Sequence, residues 1–327
     1  MLAGALAFLL LSVSLPISAQ AFKPAAKSGD PGGWTAPKTA DGQPDLQGVW
    51  SNLVDTPLER PEGLGAKEFY TPEEKVQREA RRAQAARPRQ AEPGTVADVH
   101  YDLGQFGLDR SHSKSAVSTR TSLIAGPEGK IPALLPAAQK RQADRVAAIR
   151  GHQFDGPEYR GLSERCITWP NEGPPMLSPG YNSNLQIVQG PGYVAILQEM
   201  IHDVRVIPLD GRPHATSAIR QWFGDSRGHW EGNTLVVDTT NFSGRFPFYG
   251  SSDQLHVVER FTRTAEDAIL YQFTVEDPAT WAKPWSAEVP WVKIEGPVFE
   301  YACQEGNYGM ANVLSGARAA EKEAAAK

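Results

Sequence analysis

The chain has 327 residues, a formal net charge of −5 and 40% hydrophobic residues. This acidic balance argues against a nucleic-acid partner, which needs a strongly basic face. No GxSxG elbow, phosphate-cradling glycine loop or dinucleotide fingerprint is present, so no motif asks for a cofactor.

The N-terminus carries the apolar run Ala5–Val13, then Leu15-Pro16-Ile17 and the small-residue ending Ala19-Gln20-Ala21. This is the layout of a secretory signal peptide over residues 1–21, although no Lys or Arg precedes the run. The run is shorter than the ~20 residues needed to cross a bilayer, and no cysteine sits at the cleavage site to take a lipid. A periplasmic or secreted chain with no membrane insertion after cleavage is expected. In that compartment thiols oxidise, so the two cysteines, Cys166 and Cys303, are expected to form a disulfide.

Residues 22–44 are rich in Pro, Gly, Ala and Lys and read as a flexible lead-in. Asp45–Trp50 alternates Leu46, Gly48 and Trp50 and predicts a first strand. Thr71-Pro72-Glu73-Glu74 has the form of a capping box, so a helix is predicted from Pro72 to Ala86, before Arg87-Pro88. The basic residues between Lys75 and Arg89 alternate with acids, as on a solvated helix face. Residues 90–118 have no period and read as a loop. A short hairpin, Ser122–Ala125 with Lys130–Ala133, is predicted across Gly126-Pro127-Glu128-Gly129, and Pro136 opens a second helix through Ile149.

From Tyr181 to Cys303 short β-branched and aromatic runs alternate with turn residues. The predicted strands are Leu185–Gln189, Tyr193–Glu199, Asp203–Pro208, Ile219–Phe223, Thr234–Phe242, His256–Arg263, Ile269–Glu276, Val289–Ile294 and Val298–Cys303. Three glycines and an asparagine between Trp222 and Thr234 interrupt two aromatic-bearing strands, so a hairpin is expected with its turn at Glu231–Asn233. So many antiparallel strands must close into a barrel or fold into a sandwich to hide their edges. The expected organisation is a β-domain over 181–308, an N-terminal arm over 45–180, and a helical tail over 309–327.

Four groups of residues could carry chemistry. Thr234, Val236, Asp238 and Thr240 share one strand face; if that face is interior, Asp238 needs a partner or ligand, and if exterior it meets solvent. Glu199, His202, Asp203 and Arg205 form a second polar run, read first as a structural ion-pair network. A general base would be His202 or His229 beside Asp225 or Glu231. His202, His214, His229 and His256 show no spacing diagnostic of a metal, so no metal site is assigned. Tyr301 with Trp222, Trp230, Tyr271, Phe273, Trp285 and Trp291 could line a pocket for a ring-shaped ligand or form core.

Pro44–Trp50, Thr56-Pro57-Leu58-Glu59-Arg60-Pro61, the Gly228–Phe242 hairpin and Glu300–Tyr308 with Ser315-Gly316-Ala317-Arg318 together resemble an abundant family of exported bacterial proteins. The resemblance carries no activity and transfers no catalytic residue. Gln304 stands where that family's pattern has histidine, which removes a metal role there. Gly48-Val49-Trp50 leading into a meander also resembles lipocalin-like barrels, which implies a mainly β fold, an antiparallel meander closing into a barrel whose interior can hold one small ligand. The arm between Trp50 and the meander departs from that fold.

Together these features point to an exported barrel binding a small-molecule ligand, a sugar derivative or aromatic compound, in its mouth through Arg205, Trp230, Asp238, Glu259 and Tyr301, with His229 beside them. A lyase or hydrolase in the same pocket, using His202 or His229 with Asp225 or Glu231, and an envelope scaffold are the alternatives. Oligomeric state, strand order and the choice of inner face stay open at this level.

Overall fold

A computed structural model describes residues 34–85 and 114–327. The expected signal peptide, most of the lead-in and most of the 90–118 loop lie outside the described residues. The chain divides into units 1–34 and 35–327, and every described strand and helix belongs to the second.

The fold is mainly β. Nine strands, β1 (Gly48–Ser51), β2 (Asn184–Gly190), β3 (Tyr193–Gln198), β4 (Val204–Pro208), β5 (Asp225–Glu231), β6 (Thr234–Thr240), β7 (His256–Ala265), β8 (Ala268–Glu276) and β9 (Trp285–Lys293), form one sheet. Among the described residues three α-helices accompany it: α1 (Pro72–Ala85), α2 (Pro136–Ile149) and α3 (Tyr308–Ala325). The sheet order is β4-β3-β2-β1-β9-β8-β7-β6-β5, and each ladder is antiparallel. The first strand therefore pairs with the last, Trp50 opposite Lys293 and Ser51 opposite Val292, so the barrel draws β1 from the arm.

An odd number of antiparallel strands cannot close on itself with antiparallel ladders alone. The two outermost strands, β4 and β5, run parallel, and parallel neighbours need a crossover rather than a hairpin. Residues 209–224 are that crossover, which corrects the strand expected at Ile219–Phe223: only a single bridge, Gln221 to Phe242, remains of it. At the seam the strands meet through side chains. A Cβ at Gly228 would stand 2.8 Å from Ile207 Cγ2 and 2.7 Å from Leu209 Cδ2, so β4 approaches β5 where β5 has no side chain.

One buried ion pair spans the same seam. Arg205, on β4, reaches across to Glu259 of β7, whose carboxylate is fully buried. Arg205 Nη1 donates to Glu259 Oε1 at 3.0 Å and its Nε donates to Ser226 Oγ at 3.0 Å. Tyr271 Oη donates to Glu259 Oε1 at 2.8 Å and accepts from the Met176 N–H at 2.9 Å. Burial first and then the Glu259 charge push the Tyr271 phenol far up, so it stays a donor.

Strand alternation sends Val257, Glu259, Phe261 and Arg263 of β7 inward and His256, Val258, Arg260 and Thr262 outward. The lumen is filled by its own side chains. Phe261, Tyr271 and Trp291 meet in tilted and edge-to-face contacts with centroids 4.9–5.6 Å apart, and Trp50, also fully buried, donates from Nε1 to Leu46 O at 2.9 Å. Tyr271, Phe273, Trp285 and Trp291, read from sequence as pocket or core, are core. Each such side chain contributes about 1.5–3 kcal/mol by leaving water.

The arm is organised by Arg60, whose buried guanidinium donates to Thr121 Oγ1 (2.9 Å), Gly126 O (3.1 Å) and Pro127 O. These bonds replace the hairpin expected over 122–133 with loops bridged to the barrel, Ile124 to Ala287 and Leu134 to Trp281. The capping box of α1 forms as expected: Thr71 N–H donates to Glu74 Oε2 at 2.8 Å, and Glu74 N–H donates to Thr71 Oγ1 at 3.3 Å. Cys166 and Cys303 are disulfide-bonded. Val298–Cys303 is no strand, because β9 already has β8 and β1 on its two edges; the segment runs instead to the disulfide, with Phe299 N–H 3.5 Å from Glu199 Oε2.

Removing one partner of the seam pair leaves a buried, uncompensated charge. Arg205→Met or Glu259→Gln alone is expected to cost about 3–5 kcal/mol in urea unfolding, and Arg205→Met with Glu259→Leu less than the sum of the single changes. Single variants within about 1 kcal/mol of the parent would show that the pair does not hold the seam.

Candidate functional site

The residues singled out from sequence do not converge on one place. Arg205 and Glu259 face the lumen and saturate each other. Trp230 points inward from β5 and packs against the core. Asp225, His229 and Glu231 lie on the outer face of β5, opposite Thr240, Val236 and Thr234. His229 Nε2 is 3.2 Å from Glu231 Oε1, and both side chains are exposed. The Glu231 carboxyl is held below its usual range by the Arg260 hydrogen bond first and then by His229. A solvated pair of this kind has no enclosed substrate position beside it. His202 closes the 3-10 turn Met200–His202, and Tyr301 lies beyond β9.

Asp238 faces outward, and its partners there are two histidines. His256 Nε2 lies 2.8 Å from Asp238 Oδ2, and His214, from the crossover, lies 3.0 Å from Asp238 Oδ1 through Nε2 and 3.1 Å from Asp225 Oδ2 through Nδ1. Burial would raise Asp238, but the hydrogen bonds and charges of His256 and His214 outweigh it and hold the carboxyl below its usual range. The bond to Asp238 raises His256 above the ordinary imidazole value, against burial, and the charges of Asp238 and Glu276 add to it. With both nitrogens of His214 facing carboxylates, neither is open to accept a proton from a substrate, so the ring is a clamp and not a general base. Among the described residues no group of three or more His, Cys, Asp or Glu is arranged to hold a metal.

A second polar cluster lies at the barrel rim where β1 ends, β2 begins, and β3 turns into β4. Asn52 N–H donates to Ser183 O at 3.0 Å, and Glu199 accepts from Asn182 Nδ2 and Asn184 Nδ2, each at 2.8 Å. The loop leading from the disulfide covers this rim, with the Gln198 side-chain amide donating to Glu172 O. Glu172 is 2% exposed, and its Oε2 makes no hydrogen bond; Asn52 Oδ1, Thr168 Oγ1 and Asn184 Oδ1 are likewise buried and unpartnered. Other such atoms among the described residues are four indole N–H groups and the Nε of Arg141, so the unpartnered oxygens are those of Asn52 and Asn184 at the strand ends and of Thr168 and Glu172 on the covering loop. Burial, and then the charge of Asp203, push the Glu172 carboxyl up to about 9, so it is neutral at pH 7.

The rim backbone is strained. Ile201, a β-branched residue, sits at φ 61° inside the β3–β4 turn, and Cys166, Asn171 and Asn182 also have positive φ. A β-branched residue in that region costs about 1–3 kcal/mol and is retained where surroundings over-determine it. Trp169 and Tyr181 meet edge to face at 5.8 Å on the covering loop, and the Tyr181 ring is exposed. Glu172 and Thr168 carry no motif in the sequence; the cue present there is a polar pair inside a Pro- and Gly-rich segment.

A cleft of about 280 Å³ lies in the arm, between Asp55, Thr56, Tyr70, Lys75, Arg78, Glu79, Val117 and Ser118. Its cations and acids offset each other, Lys75 lying 3.9 Å from Glu79, and no residue given a binding or catalytic role from sequence lines it.

No family model matches the chain, and no curated protein matches it.

The outer cluster sets a pH window. The depressed Asp238 stabilises above its unfolded value and loses this as pH falls through its folded one. The raised His256 stabilises below its unfolded value and loses this as pH rises through its folded one. Both contributions are complete between about pH 4 and 6.5. The stability difference between parent and Asp238→Asn is expected to peak in that window at less than about 1 kcal/mol, because both groups are more than a third exposed. Urea unfolding across pH checks this, and a flat difference would contradict it.

Proposed function

We propose that the chain is an exported barrel that binds a small polyhydroxylated molecule, of the sugar-derivative class, at the Glu172 rim. The observation carrying this reading is the set of buried, unpartnered oxygens on Asn52, Thr168, Glu172 and Asn184. Buried polar groups in folded proteins are hydrogen-bonded almost without exception, and each exception needs a cause. Hydroxyl donors on a ligand would satisfy these acceptors, the neutral Glu172 would donate in return, and Trp169 and Tyr181 offer apolar faces beside them. The filled lumen favours the rim over the barrel centre for such a ligand. Export is supported by the apolar N-terminal run and the disulfide.

Glu172→Gln keeps the neutral shape and removes the proton. A buried acid with a raised value costs folding free energy increasingly as pH climbs from its unfolded towards its folded value. The variant is therefore expected to match the parent near pH 4 and exceed it by roughly 4–5 kcal/mol near pH 8. Thermal unfolding with a panel of sugars, sugar acids and phenolic compounds tests binding. A polyol at a hundredfold its Kd stabilises the parent by about 2.7 kcal/mol, and Glu172→Leu is expected to lose this response. Binding that survives Glu172→Leu, or a panel in which only phenolics respond, would overturn the reading.

A further inference from the structure

We propose that the outer face of β2, β3 and β4 is a self-association surface on which a second copy of this chain packs, sheet against sheet. An antiparallel sheet with one face in water turns polar side chains to that face. The outward positions of β5 to β8 follow the rule, with Asp225, Arg227, Glu231, Asp238, Arg260 and Glu276 among them. Those of β2 to β4 do not.

Val188, Ala195 and Val206 form one row across the three strands. Gln186, Leu197 and Val204 form the next, which Val49 of β1 extends. Their chain neighbours Ile187, Ile196, Arg205 and Ile207 point into the barrel and are buried. At the end of the face Tyr193 stands opposite Gly190 and Pro208. A Cβ at Gly190 would lie 2.5 Å from the Tyr193 Cζ, so the ring lies across the glycine and widens the apolar surface. None of these outward positions carries a carboxylate, an amine or a guanidinium. Val188, Tyr193, Val204 and Val206 are 43%, 42%, 52% and 57% exposed, so the surface is open. A contiguous apolar face of this kind marks a contact with another molecule.

Charge and area select a second copy. A face without charge needs a partner without charge there, because a buried charge left unpaired is costly, and the face meets that condition itself. With a net charge of −5, copies of the chain repel one another. The carboxylates nearest this face stand at its two ends, Asp203 before Val204 and Asp210 beyond Pro208, the latter paired with Arg212. Copies that meet here therefore keep like charges out of the contact. The exposed part of the face amounts to roughly 500 Å² on each copy, about 1,000 Å² for the pair, the lower bound for a specific interface. Rows of β-branched side chains pack on rows of the same kind, as the inner faces of sandwiches do. A two-fold axis through the centre of the face sets the small Ala195 against its own counterpart, with Val188, Val206, Tyr193 and Leu197 around it. Nothing in this contact depends on the Glu172 rim.

Sedimentation equilibrium of the ligand-free chain from about 1 to about 500 μM reads the association. A reversible dimer with a Kd on the order of tens of micromolar is the expected result for a contact of this size. Val206→Arg, at an exposed position outside the core, should weaken it on the order of a hundredfold and leave the monomer's thermal unfolding unchanged. Val188→Glu, on β2, should do the same, whereas Thr262→Arg, on the polar outer face of β7, should change neither property. Hydroxyl-radical footprinting gives the second readout: oxidation of Tyr193 should fall as the parent dimerises and stay constant in Val206→Arg. A parent that remains monomeric over the whole range overturns the proposal. Tyr193 open in that monomer leaves the face to a different molecule, and Tyr193 shielded places the chain's own segments on it. A dimer that both Val206→Arg and Val188→Glu leave intact overturns it as well.

Discussion

The barrel depends on one buried ion pair at the only place where its ladders do not meet. Antiparallel pairing carried around nine strands leaves β4 and β5 parallel, and the short segment between them cannot supply a hairpin. Arg205 spans that gap to Glu259, with Ser226, Thr239 and Tyr271 completing the hydrogen-bond demand of both groups. A buried pair replaced by apolar residues need not lower stability. What Arg205 and Glu259 provide here is register, because the fork of the guanidinium reaches one carboxylate and one hydroxyl together only when β4 sits at this height against β5.

That constraint propagates outward and upward. Parallel edges force the crossover over the outer face, and the crossover carries His214 to Asp225 and Asp238. Inside, the guanidinium is occupied by Glu259, so no benefit of its charge reaches Glu172 at the rim. Glu172 resolves its burial by keeping its proton. The interior is thereby split into an aromatic part built on Phe261, Tyr271 and Trp291 and a polar part buried under the covering loop at the rim. The polar part is where strain, unpartnered oxygens and a neutral acid coincide, the company that functional sites keep.

Local signals in the sequence survive into the structure because local forces decide them. Thr71-Pro72-Glu73-Glu74 encodes its own capping box, Glu231–Asn233 its own hairpin turn, and the strands from Thr234 to Glu276 their own alternation. Ile219–Phe223 and Val298–Cys303 alternate equally well and form no strand: the first is taken up in the crossover between β4 and β5, and the second follows β9, whose two edges are held by β8 and β1. The parity of the strand count decides this, and no window of residues contains it. Asp238 and Arg205 illustrate the same gap for the site. Each sits on a legible strand, but which face turns inward follows from the closure of β1 onto β9, a contact between chain positions hundreds of residues apart. His214 is legible as a histidine beside acids and illegible as a clamp, because its partners are brought to it by the crossover.

The most direct test of the rim as a binding site is the side-chain carbonyl shift of Glu172, followed by carbon NMR in the ¹³C-labelled chain across pH and on addition of a polyol. A resonance that stays protonated through neutral pH, titrates near 9 and moves when the polyol is added is the expected result. A carboxyl already ionised at neutral pH and indifferent to the polyol would contradict the rim as a binding site.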